Sequence, residues 1–186
     1  MRSSSSLHFL AVASAALLAA CATPAMQAPM ASYNQSGLPA AVQAPAGHRV
    51  AMETVGIGEI TYECRVKANA AGEYEWVFVG PDARLLDRSG KGVGRYWGPP
   101  ATWESMDGSK LTGTQVAVSP AAQGSIPLQL VKANPAVGSG AMSGVSYIQR
   151  VATQGGVAPS MPCGAGGIGQ KQIVKYQADY IFYKPV

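Results

Sequence analysis

The chain has 186 residues, with 14 lysines and arginines against 10 aspartates and glutamates, 22 glycines and 13 prolines. The net charge of +4 is spread along the chain, which excludes the clustered basic face that nucleic-acid binding requires. Charged residues make up only 13%, and the wealth of glycine and proline favours strands joined by turns over long helices.

The chain opens with a polar, Arg2-bearing stretch followed by residues 7–20, almost all Ala, Leu, Val and Phe with His8 and Ser14 between. A segment of this kind is a secretory signal, too short to remain as a spanning helix. It ends Leu18-Ala19-Ala20-Cys21, the layout of a lipoprotein signal cut just before a cysteine that is then acylated. An ordinary cleaved signal with an incidental cysteine is the alternative, and Leu18 three residues before Cys21 favours lipidation. Several acyl chains anchor stably where one binds only marginally. Ala22 follows the cysteine in place of Asp, as in lipoproteins sorted to the outer membrane, there facing the periplasm or the surface. The predicted organisation is therefore a signal peptide over 1–20, a lipidated N-terminus and flexible tether over 21–37, and a single β domain over 38–186. The Ala- and Pro-rich run 22–36 lacks branched apolar residues, as tethers do.

Beyond the tether the hydrophobic period is two. Residues 60–66 place Ile60, Tyr62, Cys64 and Val66 on one face of a strand. Tyr74, Trp76 and Phe78 continue the alternation with Val77 and Val79 opposite, and Gly80-Pro81-Asp82 is expected to end that strand. Further strands are expected at 84–87, 94–97, 110–118, 126–131, 145–151 and 174–183. The last is the clearest, with Val174, Tyr176, Ala178, Tyr180 and Phe182 on one side and Lys175, Gln177 and Asp179 on the other. Turn chemistry falls between the runs at residues 87–92 and at Asp107-Gly108. The predicted fold is all-β, an antiparallel sandwich or a closed or flattened barrel of about 8–10 short strands.

Three cysteines divide between two tasks. With Cys21 in the anchor, Cys64 and Cys163 remain as a pair that an oxidising compartment should join. Two buried thiols or a metal pair are the rival readings. Only His48 is left after processing, so no Cys/His zinc spacing exists and no metal or cofactor is expected. His48 is read as a half-buried residue opening the first strand, and no catalytic set is assigned, since no G-x-S-x-G elbow accompanies it. Gly164-Ala165-Gly166-Gly167-Ile168-Gly169 matches the dinucleotide fingerprint in letters only, because no helix follows to present its N-terminus to pyrophosphate.

The densest unusual stretch is residues 97–108, with Trp97 and Trp103, two prolines, Glu104 and Asp107. The indoles could stack on a sugar or apolar ligand while the carboxylates hydrogen-bond it or perform acid/base chemistry. Against this, tryptophans usually fill cores and Asp-Gly turns need no further explanation. The prolines force a bend, so the two indoles need not share one face.

The ordered segments TYEC (61–64), WVFVGPDARLLDRSGKGVGR (76–95), GPPATWESMDGSKLTG (98–113), IPLQLVKA (126–133), GVSYIQRVATQGGVAPSMPC (144–163) and ADYIFYKP (178–185) resemble domain-of-unknown-function family 3455. This is a family of secreted or lipid-anchored bacterial and fungal proteins. The resemblance runs from about residue 38 to 185. It implies no activity and supplies no catalytic residues, while the two cysteines fall at the family's paired positions.

Three functions are compatible with these features. The first is a non-enzymatic binding or structural module, held to the membrane by its N-terminal lipid and meeting a saccharide or another envelope component. The second is a carbohydrate- or cell-wall-active enzyme using Glu104 and Asp107. The third is a carrier of small apolar ligands inside a barrel, which a lumen filled by Tyr62, Trp76, Phe78 and Tyr180 would leave without room.

Overall fold

The computed structural model describes residues 33–186. The expected signal peptide, Cys21 and the expected tether as far as residue 32 lie outside the described residues. Eight strands follow one another: β1 (His48–Val66), β2 (Tyr74–Leu86), β3 (Gly92–Trp97), β4 (Thr102–Ser105), β5 (Lys110–Ser119), β6 (Leu128–Ala133), β7 (Tyr147–Gly155) and β8 (Lys171–Pro185). Each pairs antiparallel with the next, and β8 pairs back onto β1 from His48↔Pro185 to Glu63↔Lys171, so a single sheet closes into a ring. This is the closed member of the two architectures expected, and closure removes the exposed sheet edges. Among the described residues no helix is long and apolar enough to cross a membrane.

Alternation places one side chain in two inside the ring. Ile60 and Tyr62 of β1, Ala83 and Leu85 of β2, Tyr96 of β3, Trp103 of β4 and Tyr176, Ala178, Tyr180 and Phe182 of β8 form the inner core. Val66 leaves this pattern and is 52% exposed at the strand's end. The strand expected from residue 60 starts twelve positions earlier, at His48. Its first half is hidden from a hydrophobic reading because Gly56 and Gly58 occupy inward positions. A Cβ on Gly56 would stand 2.5 Å from the Tyr180 ring, and one on Gly58 would strike the Asp82 carbonyl oxygen. These glycines admit a ring and a neighbouring backbone where a side chain is normally expected.

Gly80-Pro81-Asp82 does not end β2, as its composition led us to expect. The ladder shifts there, pairing Tyr62 with Phe78 and Thr61 with Gly80, so Val79 is an extra residue in the ladder. The bulge exchanges the inward phase from Trp76 and Phe78 to Pro81, Ala83 and Leu85, and accommodates a proline without breaking the strand. Strand β4 is a further element that the periodicity does not reveal, being four residues long.

A second apolar cluster lies outside the ring. Residues 33–46 cover the outer face of β6, β7 and β8, with Val42 and Ala44 against Leu130, Val151, Ile181 and Tyr183. Gln149, fully buried, anchors this strap by donating to the Val42 carbonyl at 2.7 Å and to Gln35 Oε1 at 2.8 Å. Among the described residues, Tyr33 and Leu38 also pack against this outer cluster. A few hydrogen bonds and one apolar strip hold a sequence that reads as linker.

Candidate functional site

The aromatic–carboxylate segment is distributed between the two faces of the sheet. Residues 98–101 turn the chain from β3 into β4, so that Trp97 faces outward and Trp103 inward. Trp103 is 1% exposed. Its indole stacks on Tyr96 at 4.6 Å and meets Tyr180 edge-on at 6.0 Å, while its Nε1 finds no acceptor among the described residues. Trp97 is half-buried beneath the Arg95 guanidinium, 5.6 Å from the ring centroid. Glu104 faces out between Arg95 and Lys110 in the ladder, 3.9 Å from Lys110 Nζ.

Asp107 is occupied by its own turn. It accepts from the Ser109 hydroxyl at 2.6 Å, the Ser109 N–H at 2.9 Å and the Ala141 N–H at 2.7 Å. The Ser109 hydroxyl foremost, with the Ala141 and Ser109 amides, holds this carboxyl down at about 2. The structure brings Trp97, Trp103, Glu104 and Asp107 to four separate environments. The two carboxylates share no partner. His48 opens β1 half-buried, edge-on to Tyr147 at 5.0 Å.

Cys64 and Cys163 are joined, as the cysteine count predicts, across a separation of 99 residues. Cys64 is completely buried. The bridge fixes the long β7–β8 connection to β1, and Trp76 reinforces it by donating from Nε1 to the Met161 carbonyl at 2.8 Å. A bond of this kind belongs to proteins held in an oxidising compartment outside the cytosol.

The two ends of the ring differ. At one, the β6–β7 connection folds inward and Met142, 0% exposed, plugs the lumen, with its N–H donating to Ser109 Oγ. At the other, a cavity of about 370 Å³ opens between Phe78, Tyr96, Pro99, Gln115, Gln129 and Arg150. Neither Glu104 nor Asp107 lines it. Arg150 follows Ile148 by two residues on β7 and stands between Gln129 and Tyr180 in the ladders, so its side chain enters the lumen. The guanidinium is held by the Pro127 carbonyl, which accepts from Nε at 3.2 Å and Nη2 at 3.0 Å. Gln129 donates to Gln115 Oε1 at 2.7 Å.

Deeper in, Tyr62 donates to the Gly156 carbonyl at 2.8 Å, and the hydroxyls of Tyr176 and Tyr180 meet at 3.2 Å. Burial pushes the phenols of Tyr62, Tyr96, Tyr176 and Tyr180 upward, with the Arg150 charge acting in the opposite sense on each, so all four are neutral at physiological pH. Among the described residues Arg150 forms no ion pair, and no group of three or more His, Cys, Asp or Glu is placed to hold a metal.

Sequence reasoning passed over Arg150, Gln129 and Gln115. The signal available was a charge at an inward position, two residues after Ile148, in a strand otherwise apolar on that face.

Fold and site together define a disulfide-bonded, all-β domain whose closed sheet is plugged at one end and open at the other. The family described as "Protein of unknown function (DUF3455)" matches residues 45–184, and the chain belongs to it. No curated protein and no solved structure matches the chain.

Proposed function

We propose that the protein is a non-enzymatic binding module of the cell envelope and that the open end of the ring is its binding site. The observation that carries this reading is the 370 Å³ cavity, within the size range of small-molecule pockets. It joins apolar and aromatic walls to a few polar groups that converge from different strands. The middle of the lumen, by contrast, is packed with Tyr96, Trp103, Tyr180 and their neighbours. A ligand therefore sits at the mouth, and a carrier cavity running through the lumen is not needed.

Lipid attachment at Cys21 would tether the domain to an outer-membrane surface after removal of residues 1–20. The lipobox-like run ending at Cys21 and an envelope disulfide support that part of the reading. Replacing Cys21 with Ser is expected to move the protein from the membrane to the soluble fraction. Salt-resistant sedimentation of Cys21→Ser protein with membranes would overturn it.

The site is tested by nuclear magnetic resonance with a set of small aromatic and aliphatic fragments. Shifts concentrated at residues 78–81, 96–101, 113–115 and 129–131 are expected. Fragments that perturb only the outer surface, together with turnover in a hydrolase screen, would reject the proposal.

A further inference from the structure

We infer that the ligand of the open end is a singly charged carboxylate carried on a flat apolar body, with its carboxylate on the outer edge of the Arg150 guanidinium. This rests on the reading of that cavity as a binding site. A guanidinium has five N–H donors in a rigid plane. The Pro127 carbonyl takes the edge formed by Nε and Nη2, leaving Nη1 without an acceptor among the described residues. The edge between Nη1 and Nη2 is the fork that fits the two oxygens of a carboxylate.

The fork is set in place before any ligand arrives. Pro127 follows Ile126, whose N–H donates to the Gly155 carbonyl at 2.9 Å and whose carbonyl accepts from buried Thr153 Oγ1 at 2.6 Å. Arg150 is half-buried and has no ion-pair partner among the described residues, so an anionic group is the ligand charge it favours. One cation matches one negative charge, and a phosphate dianion would bring a second charge with nothing to meet it. Gln115 adds a further donor, because its oxygen is engaged by Gln129 and its amide N–H groups are not.

The remaining walls choose the body of the ligand. Phe78 is 51% exposed at the rim, Tyr96 presents a buried ring, and Pro81, Pro99 and Val131 complete an apolar lining. A cavity of about 150 Å³ accepts a benzene ring, so the volume here suits a body of about two fused rings. Rings on Phe78 and Tyr96 and a carboxylate on Arg150 satisfy the whole lining at once.

The test is calorimetric titration of the full chain with four probes: 2-naphthoate, the neutral 2-naphthalenemethanol, 2-naphthyl phosphate and acetate. Naphthoate should bind in the mouth, the neutral alcohol about 10- to 100-fold more weakly, the range for hydrogen bonds to a charged group, and acetate more weakly as well because it buries no ring against Phe78 and Tyr96. Arg150→Gln should weaken naphthoate by the same factor and leave the alcohol unchanged, and Arg150→Lys should recover only part of the loss. Phe78→Ala, at a rim position that is 51% exposed, should weaken naphthoate and alcohol alike. Equal binding of naphthoate and alcohol at the mouth, or naphthyl phosphate binding more tightly than naphthoate, would overturn the carboxylate inference and leave the mouth as a site. If no probe binds at the mouth, both readings fall.

Discussion

Replacing Trp103 separates a core tryptophan from a ligand platform, and the outcome can be worked out in advance. The side chain is 1% exposed, with Tyr96 stacked at 4.6 Å and Tyr180 edge-on at 6.0 Å. Truncating such a residue costs about 3–5 kcal/mol, of which the two ring contacts contribute about 0.5–1.5 kcal/mol each. For a domain of this size each kcal/mol lowers Tm by about 2–4 °C, so Trp103→Ala should melt about 6–20 °C below the parent. Trp103→Phe is the more searching change. The smaller ring loses about 1 kcal/mol of packing, but the substitution removes an indole N–H that has no acceptor among the described residues, a burden of about 1–3 kcal/mol. The phenylalanine variant should therefore melt within a few degrees of the parent. Both variants are to be followed by far-ultraviolet circular dichroism and by urea titration, where an unchanged m-value would show that only stability has moved. An unaltered Tm for Trp103→Ala would refute the core assignment. A Trp103→Phe variant as unstable as the alanine variant would refute the argument about the N–H.

Other perturbations follow from the same contacts. Removing both Cys64 and Cys163 should cost about 2–5 kcal/mol and speed hydrogen exchange in the β7–β8 connection, and two reactive thiols in denatured, unreduced protein would contradict the bridge. The Asp107 carboxyl, held at about 2 when folded, stabilises fully above its unfolded value of about 3.9 and loses that contribution as pH falls from there through 2. Asp107→Asn should flatten this part of the stability–pH profile, and an identical slope in parent and variant would remove the turn from the account. Gln149→Leu leaves the Val42 carbonyl and the Tyr183 hydroxyl without their shared partner. It should destabilise by about 1–3 kcal/mol and open residues 35–46 to proteolysis, whereas a strap as protected as in the parent would show that packing alone holds it.

Legibility in the sequence followed the simplicity of each residue's surroundings. Strand β8 could be read nearly complete, since Tyr176, Ala178, Tyr180 and Phe182 all face one filled lumen. The first half of β1 could not, because Gly56 and Gly58 stand where a Tyr180 ring and the β2 backbone come close, and period-two reading has no symbol for a contact made by absence. Gly80-Pro81 looked like a stop and is a bulge, a distinction that depends on what β1 does opposite it. The disulfide was legible because only two cysteines remained to pair. The open end was not, for it assembles from β2, β3, β5, β6 and β7, and its charged residue lies in a stretch that reads as ordinary strand. Trp97, Trp103, Glu104 and Asp107 drew attention by their density in sequence, yet a hairpin sends adjacent residues to opposite faces.

On the proposed reading, binding resides in the open mouth while the rest of the ring is scaffold. Gln115 is exposed, lines the cavity and lies outside the packed core, so Gln115→Trp should fill the mouth without disturbing the fold. The decisive measurement is titration of parent and Gln115→Trp proteins with 2-naphthoate, with a melting curve taken on each. Equal Tm values and loss of binding in the variant are expected. Undiminished binding in a Gln115→Trp protein that folds normally would contradict it.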